Sequence, residues 1–187
     1  MQAEFLPDEG AAMNLKQYVR TIPDFPEKGV MFRDVTTLFN NSAAFEATVE
    51  QLYEQWAGDA SASIAGIDAR GFIIGGALAY RMKLPFVVLR KQGKLPFDTL
   101  SEDYDLEYGK ATLEIHKDAI KPGDRVLIVD DLIATGGTAA AGVNLVRALG
   151  AEIAGCAFII DLPMLGGADK LREMGVKVQS LMTFDGH

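Results

Sequence analysis

Val126-Leu127-Ile128-Val129-Asp130-Asp131-Leu132-Ile133-Ala134-Thr135-Gly136-Gly137-Thr138 is the stretch on which the fold turns. Four consecutive aliphatic residues suit a strand buried on both faces of a parallel sheet. Two carboxylates follow, then a short loop holding two threonines and two glycines. Gly142, Leu145, Val146 and Leu149 recur at helical spacing, so the loop opens a helix over Thr138 to Leu149. In open α/β sheets, ligands sit at the carboxyl ends of strands. A helix N-terminus offers unpaired N–H groups and positive dipole to an anion. Gly136 and Gly137 let the backbone curl closely around it, and Thr135 and Thr138 add hydroxyls. A phosphate repels carboxylates, so Asp130 and Asp131 are expected to accept hydrogen bonds from sugar hydroxyls instead. The deduced ligand is a sugar phosphate.

Working outward, Ser63 to Ile67, Pro85 to Leu89 and Ile153 to Ile160 are further short apolar runs. Helical patterns cover Gly75 to Met82 and Asp169 to Met174, and Val176 to Leu181 reads as a last strand. Strands alternating with helices predict an α/β fold with a mostly parallel sheet. A helix is expected after Asn41–Ser42, with Phe45, Val49, Leu52, Tyr53 and Trp56 on one stripe. Leu15, Tyr18, Val19 and Ile22 predict an amphipathic helix capped by Asn14 and stopped by Pro23. Thr112 to His116 alternates as a half-exposed strand, and the acidic stretch from about Pro96 to Gly109 reads as a long loop of the kind that forms lids.

The chain has 187 residues, 49% of them hydrophobic and 24% charged, enough for one domain without a metal or disulfide staple. Cys156 is the single cysteine, in a buried-looking strand, and is read as inert. His116 and His187 show no metal-ligand spacing and are read as structural or solvent-facing. No apolar run approaches a membrane span. Met1 to Gly10 carries Glu4, Asp8 and Glu9 but no basic residue, so no secretory leader is expected. A cytoplasmic setting follows. The net charge of −8 argues against nucleic acid as a partner. From Ala69 to Phe97, however, there is no acid, while Arg70, Arg81, Lys83, Arg90, Lys91 and Lys94 are present. That window is either a solvated basic face or a site for a small polyanion.

Competing readings of the central motif fail on its own residues. It has neither G-x-x-x-x-G-K-[ST] nor G-x-G-x-x-G, which removes the Walker-type and dinucleotide sites. Leu127-Ile128-Val129-Asp130-Asp131 also looks like the first strand of a response-regulator receiver, but that strand opens its domain and only 56 residues remain after Asp131. A plain helix cap needs no such set of acids, glycines and threonines together.

Asp130 to Thr138 resembles the phosphoribosyl-diphosphate signature of the type I phosphoribosyltransferases. Four further strings are similar to the adenine-using branch of that family: Pro23-Asp24-Phe25-Pro26 through Gly29-Val30-Met31-Phe32-Arg33-Asp34, Gly66-Ile67-Asp68-Ala69-Arg70-Gly71-Phe72, Arg90-Lys91-Gln92-Gly93-Lys94-Leu95-Pro96, and Leu106-Glu107-Tyr108-Gly109-Lys110. The likeness runs from Asn14 to the C-terminus; the first dozen residues match no motif. It implies one domain over 1–187, with a small hood contributed by about residues 14–40 and a flexible lid loop. It also implies a purine-salvage transferase that converts adenine and 5-phosphoribosyl 1-diphosphate to AMP and pyrophosphate with Mg²⁺, as a homodimer.

The resemblance distributes roles as well. Ala134, Thr135, Gly136, Gly137 and Thr138 would hold the 5′-phosphate, and Asp130 and Asp131 the ribose hydroxyls. Asp68, Ala69, Arg70, Gly71, Arg90, Lys91 and Lys94 would receive pyrophosphate, with Arg70 also counted as catalytic. Mg²⁺ would be held mainly through substrate oxygens and water, with no protein ligand set. Met31, Phe32 and Arg33 would bind adenine, Phe32 by stacking and its neighbours through their backbones. Glu107 would handle the proton at N9, with Tyr104 and Tyr108 as further lid residues. From the residues alone, Phe32 reads as a core aromatic and Glu107 as one acid among five in a solvated loop. Ala69 stands where some relatives have a hydroxyl residue. Two rivals remain at this level: a transferase for another base, and a non-catalytic sensor of the same sugar diphosphate.

Overall fold

The computed structural model describes residues 13–106 and 109–186. A 3-10 turn at Leu15–Tyr18 leads into strand β1 (Arg20–Pro23), which pairs antiparallel with β2 (Met31–Asp34). The helix expected to run to Pro23 therefore stops at Tyr18. The β-branched residues of Val19-Arg20-Thr21-Ile22 fit an extended backbone, and β2 offers a pairing partner that local periodicity cannot reveal. Two helices follow, α1 (Thr36–Phe39) and α2 (Ser42–Trp56). The Asn41 side chain caps α2, accepting from the Ala44 N–H at 2.9 Å.

The core then alternates as expected: β3 (Ser63–Ile67), α3 (Arg70–Met82), β4 (Phe86–Lys91), β5 (Thr99–Leu106), β6 (Gly109–His116), β7 (Arg125–Ile133), α4 (Gly137–Ala148), β8 (Glu152–Asp161), α5 (Gly167–Glu173) and β9 (Val178–Thr183). The sheet order is β5-β6-β4-β3-β7-β8-β9. Strands β4, β3, β7, β8 and β9 run parallel, and β5–β6 closes one edge as an antiparallel hairpin. Along β7, Val126 and Ile128 enter the core under α4 and α5, whereas Leu127 and Val129 enter the core shared with α2 and α3. Both faces are covered, which is why the aliphatic run has no polar interruption.

Two differences from expectation matter for the site. Helix α3 begins at Arg70, five residues before the apolar pattern. Its glycines mask the pattern while serving close packing: a Cβ on Gly75 would lie 2.9 Å from the Phe86 ring and 3.5 Å from Gly66 Cα. The acidic stretch after Asp98 is strand β5, not irregular loop. Leu100, Glu102 and Tyr104 turn inward while Ser101, Asp103 and Asp105 face out, so the charge hides a two-residue period. Glu114 on β6 is buried rather than half-exposed, accepting from the Gly93 N–H at 2.9 Å.

Asp34 joins the small sheet to α1. It accepts from the Thr36 hydroxyl at 2.6 Å and from Arg20 Nε at 3.1 Å. Those bonds, Thr36 first and Arg20 next, bring its carboxyl from the ordinary 3.8 down to about 2. A lowered acid stabilises the fold above its unfolded value and loses that contribution as pH falls through the folded one. Asp34→Asn should therefore cost about 1–2 kcal/mol at pH 7, after allowance for the exposed Arg20. The gap to the parent should close between pH 4 and 2 in urea titrations. A gap unchanged at pH 2 would contradict the assignment.

Candidate active site

Strands β3 and β7 are neighbours, but their following helices cover opposite faces of the sheet. The crevice that such a reversal opens at the carboxyl ends is where α/β sheets bind ligands. At the end of β7, Ala134–Gly136 turns into α4 with Gly136 at φ +75°. Among the described residues no side chain caps α4, and a cavity of about 110 Å³ opens at its first turn. Asp130, Ala134, Thr135, Gly136, Gly137 and Thr138 line it. The loop is braced from behind: the Gly167 N–H donates to the Ala134 carbonyl at 3.0 Å, and a Cβ on Gly136 would lie 2.8 Å from the Gly167 oxygen. The geometry suits a single phosphate group.

Asp130 and Asp131 lie within β7 rather than beyond its end. Asp131 is buried and pairs with Arg70 across 61 residues of chain, Nε to Oδ2 at 2.5 Å. Gly71 permits this approach, since a Cβ there would meet the Val129 carbonyl at 2.7 Å and Asp130 Oδ1 at 3.0 Å. Burial opposes the Arg70 charge, yet the Asp131 carboxylate outweighs it and raises the guanidinium above its ordinary value. Asp130 accepts from the Asp131 N–H at 2.9 Å. Burial, and then the neighbouring Asp131 charge, push its carboxyl well above the usual carboxylate range. A donor-rich ligand, such as a pair of sugar hydroxyls, would relieve that cost.

Asp68 directly follows β3, and the Asp68–Ala69 peptide is cis. No side chain caps α3, in keeping with alanine at position 69. Arg90 on the adjacent β4 faces Asp68, Nε to Oδ2 at 3.5 Å. Its Nη1 donates to the Lys94 carbonyl at 3.2 Å, which folds the Lys91–Lys94 turn toward the same end of the sheet. Lys91 and Lys94 are exposed. This cluster lies at one sheet end with Arg70.

A second cavity, of about 230 Å³, opens on the other side of Leu132 and Ala134, which line both. Met31, Phe32 and Arg33 form one wall, Leu162 and Leu165 another, and Arg70 reaches its floor. Phe32 is not a core residue: it is half-buried, with Phe25 edge-on at 5.2 Å between centroids. Strand β2 pairs only with β1 among the described residues, so alternate backbone groups on its outer edge stay free for a ligand. Leu162 and Leu165 were not legible as site residues, for their short 3-10 segment carries no motif. Glu107 and Tyr108 lie outside the described residues. Tyr104, on β5, is buried in the core, and its ring lies 3.5 Å from where a Cβ on Gly137 would stand.

The Phosphoribosyl transferase domain model matches residues 34–179. The chain is 57% identical to an adenine phosphoribosyltransferase of Dinoroseobacter shibae, over 92% of this chain and 96% of that one. The chain belongs to the adenine phosphoribosyltransferase family. A second relative, from Methylorubrum extorquens, is 56% identical over 92% of this chain and 96% of its own. Among solved structures of the family, that from Thermoanaerobacter pseudethanolicus superposes with a TM-score of 0.88 at 46% identity, covering 91% of this chain and 98% of that one. The enzyme from Saccharomyces cerevisiae, complexed with adenine and an imino-altritol bisphosphate, gives 0.85 at 37% identity, covering 91% and 98%. As a family member the chain is a phosphoribosyl-transferring enzyme of purine salvage, and its sheet has the expected type I arrangement.

Proposed function

We propose that this chain transfers the 5-phosphoribosyl group from 5-phosphoribosyl 1-diphosphate to adenine, releasing pyrophosphate and AMP. One observation carries the reading. A phosphate-sized cavity and a larger, mostly apolar-walled cavity share Leu132 and Ala134, with the Arg70–Asp131 pair beside the junction. A nucleoside monophosphate has that layout.

In this reading Ala134 to Thr138 hold the 5′-phosphate, and Asp130 and Asp131 orient the ribose through its hydroxyls. Asp68 to Gly71 with Arg90, Lys91 and Lys94 receive the departing diphosphate. Arg70 has two tasks. It holds the Asp131 carboxylate in place through its Nε, and it offers its remaining N–H groups to the leaving oxygens. The transition state is oxocarbenium-like at the anomeric carbon, so fixed carboxylates on the ribose side and cations on the diphosphate side both lower the barrier. Phe32 stacks on the base, while the β2 backbone at Met31 and Arg33 reads its polar edge. A 6-oxo purine would leave one of those buried groups unpaired. Glu107, by family resemblance, takes the proton from the base.

The residues present fit Mg²⁺. Asp130 lines the smaller cavity and Asp131 stands next to it in β7, so carboxylate oxygens are at hand. Mg²⁺ characteristically keeps waters and phosphate oxygens as ligands. Diphosphate and ribose oxygens would hold it, with Asp130 and Asp131 accepting from its waters. When bound it neutralises charge on the leaving group. A hood from about residues 14–40, a cytoplasmic location and a homodimer complete the reading. Ile73 and Tyr80 on α3, 49% and 88% exposed, support the last. No described helix is long and apolar enough to cross a membrane.

A base panel (adenine, hypoxanthine, guanine, xanthine, orotate) with labelled co-substrate tests the assignment. AMP should form fastest, by at least about a hundredfold. In the same assay Glu107→Gln should lower kcat by more than about tenfold with little change in sugar-diphosphate affinity. Preference for another base would sink the substrate, and unchanged turnover would remove Glu107 from the chemistry.

A further inference from the structure

The chain beyond β9 touches both walls of the base cavity. Phe184 follows the last strand, is buried, and donates its N–H to the Asp161 carbonyl at 3.1 Å. The Arg33 guanidinium and the Lys16 ammonium each lie 4.6 Å from the centre of its ring. Arg33 Nη2 also donates to the Asp185 carbonyl at 3.0 Å, and its Nη1 to the Thr21 hydroxyl at 2.6 Å. On the opposite side, the Gly186 N–H donates to Met164 Sδ at 3.3 Å. Met164 lies in the 3-10 segment Pro163–Leu165, whose Leu165 lines the cavity together with Leu162 just before it.

We propose that Phe184–Gly186 is a strap that sets the separation of the two walls, and that Phe184 and Arg33 are positioning residues for base recognition. The inference rests on the reading of this cavity as the adenine site. Its physics is simple. Strands β1 and β2 form a two-stranded sheet, which has little stability of its own. A hydrogen-bonding edge discriminates between bases only if it is held within a fraction of an ångström. Arg33 is the one β2 residue bonded to both β1 and the C-terminal segment among the described contacts. The ring beneath its guanidinium removes freedom that a lone arginine would keep. Among the described residues, the 5′-phosphate loop and the diphosphate cluster have no hydrogen bond to the strap, so the effect should be confined to the base.

Steady-state kinetics on Phe184→Leu and Arg33→Met separate this role from a general structural one. Phe184→Leu keeps an apolar plug and removes the ring; Arg33→Met keeps an extended chain and removes the donors. Each should raise KM for adenine about tenfold, with kcat and KM for 5-phosphoribosyl 1-diphosphate within about twofold. The double variant should add little to either single change, and Phe184→Tyr, which keeps the ring, should restore the parent value. An unchanged KM for adenine, or a parallel rise in both Michaelis constants, would overturn the strap. If Phe184→Leu fails to fold, Arg33→Met alone decides by the same criterion. The parent enzyme run with the base panel isolates the underlying reading: no AMP from the parent refutes the adenine site, whereas AMP formation with indifferent variants refutes only the strap.

Discussion

Arg70→Met should lower kcat/KM for 5-phosphoribosyl 1-diphosphate by about 10²–10³. Two losses combine. The variant leaves Asp131, 5% exposed at its side chain, without its cation. Removing one partner of a fully buried pair costs about 3–5 kcal/mol. Arg70 is 45% exposed at its side chain, so water restores part of that, and about 2–4 kcal/mol remains. The leaving diphosphate also loses a planar, always-charged donor. Most of the deficit should appear in kcat, because the charge on the departing oxygens grows toward the transition state. Arg70→Lys should recover only part of it, since an ammonium cannot grip a carboxylate and a diphosphate together. Steady-state kinetics with a melting curve as control check this; a loss under tenfold in a folded Arg70→Met protein would take Arg70 out of the mechanism.

The second large effect is expected at Gly136. Its φ of +75° strains any residue with a side chain by about 1–2 kcal/mol. The added Cβ would also lie 2.8 Å from the Gly167 oxygen and 2.9 Å from its Cα. Neither neighbour is the flexible end of a side chain, so the loop itself must move. The Gly167 N–H bond to Ala134 would go with it. A displacement of about 1 Å is enough to cost about a hundredfold. Gly136→Ala should therefore weaken AMP and ribose 5-phosphate binding by at least about that factor, read by calorimetry. Gly58→Ala is the matched control: a Cβ there has open space and no left-handed backbone. Equal affinities in the two variants would show that the loop does not carry the phosphate.

The legible parts of this protein are those written in neighbouring residues. Val126 to Val129 announced a doubly covered strand because a strand buried on both faces tolerates no polar position. Gly136–Gly137 announced a tight approach because only glycine is free of the Cβ clash. The helix α2 was readable from its stripe and from Asn41, whose cap is a contact over three residues. Where the reading failed, a partner distant in sequence had overridden a local pattern. Val19 to Ile22 has helical spacing but takes β1 because β2 stands ready to pair with it. The acids of β5 disguised a strand whose alternation shows once β6 lies beside it. The glycines of α3 imitate loop until Phe86 and Gly66 are seen packed against them.

The site divides along the same line. The glycine–threonine loop after β7 and the two aspartates stand in one stretch of chain, so their grouping is legible from residue type and from one turn between a strand and a helix. The grip of Arg70 on Asp131, the brace behind Gly136, and the cavity walled by Phe32 and Leu165 join residues 31 to 133 positions apart. Such contacts leave no periodic trace, because packing of the whole sheet and its two helical layers sets them. Composition and spacing thus specified the acids, glycines and threonines at the end of β7; the assembled walls decided which cavities open beside them and which charges meet there.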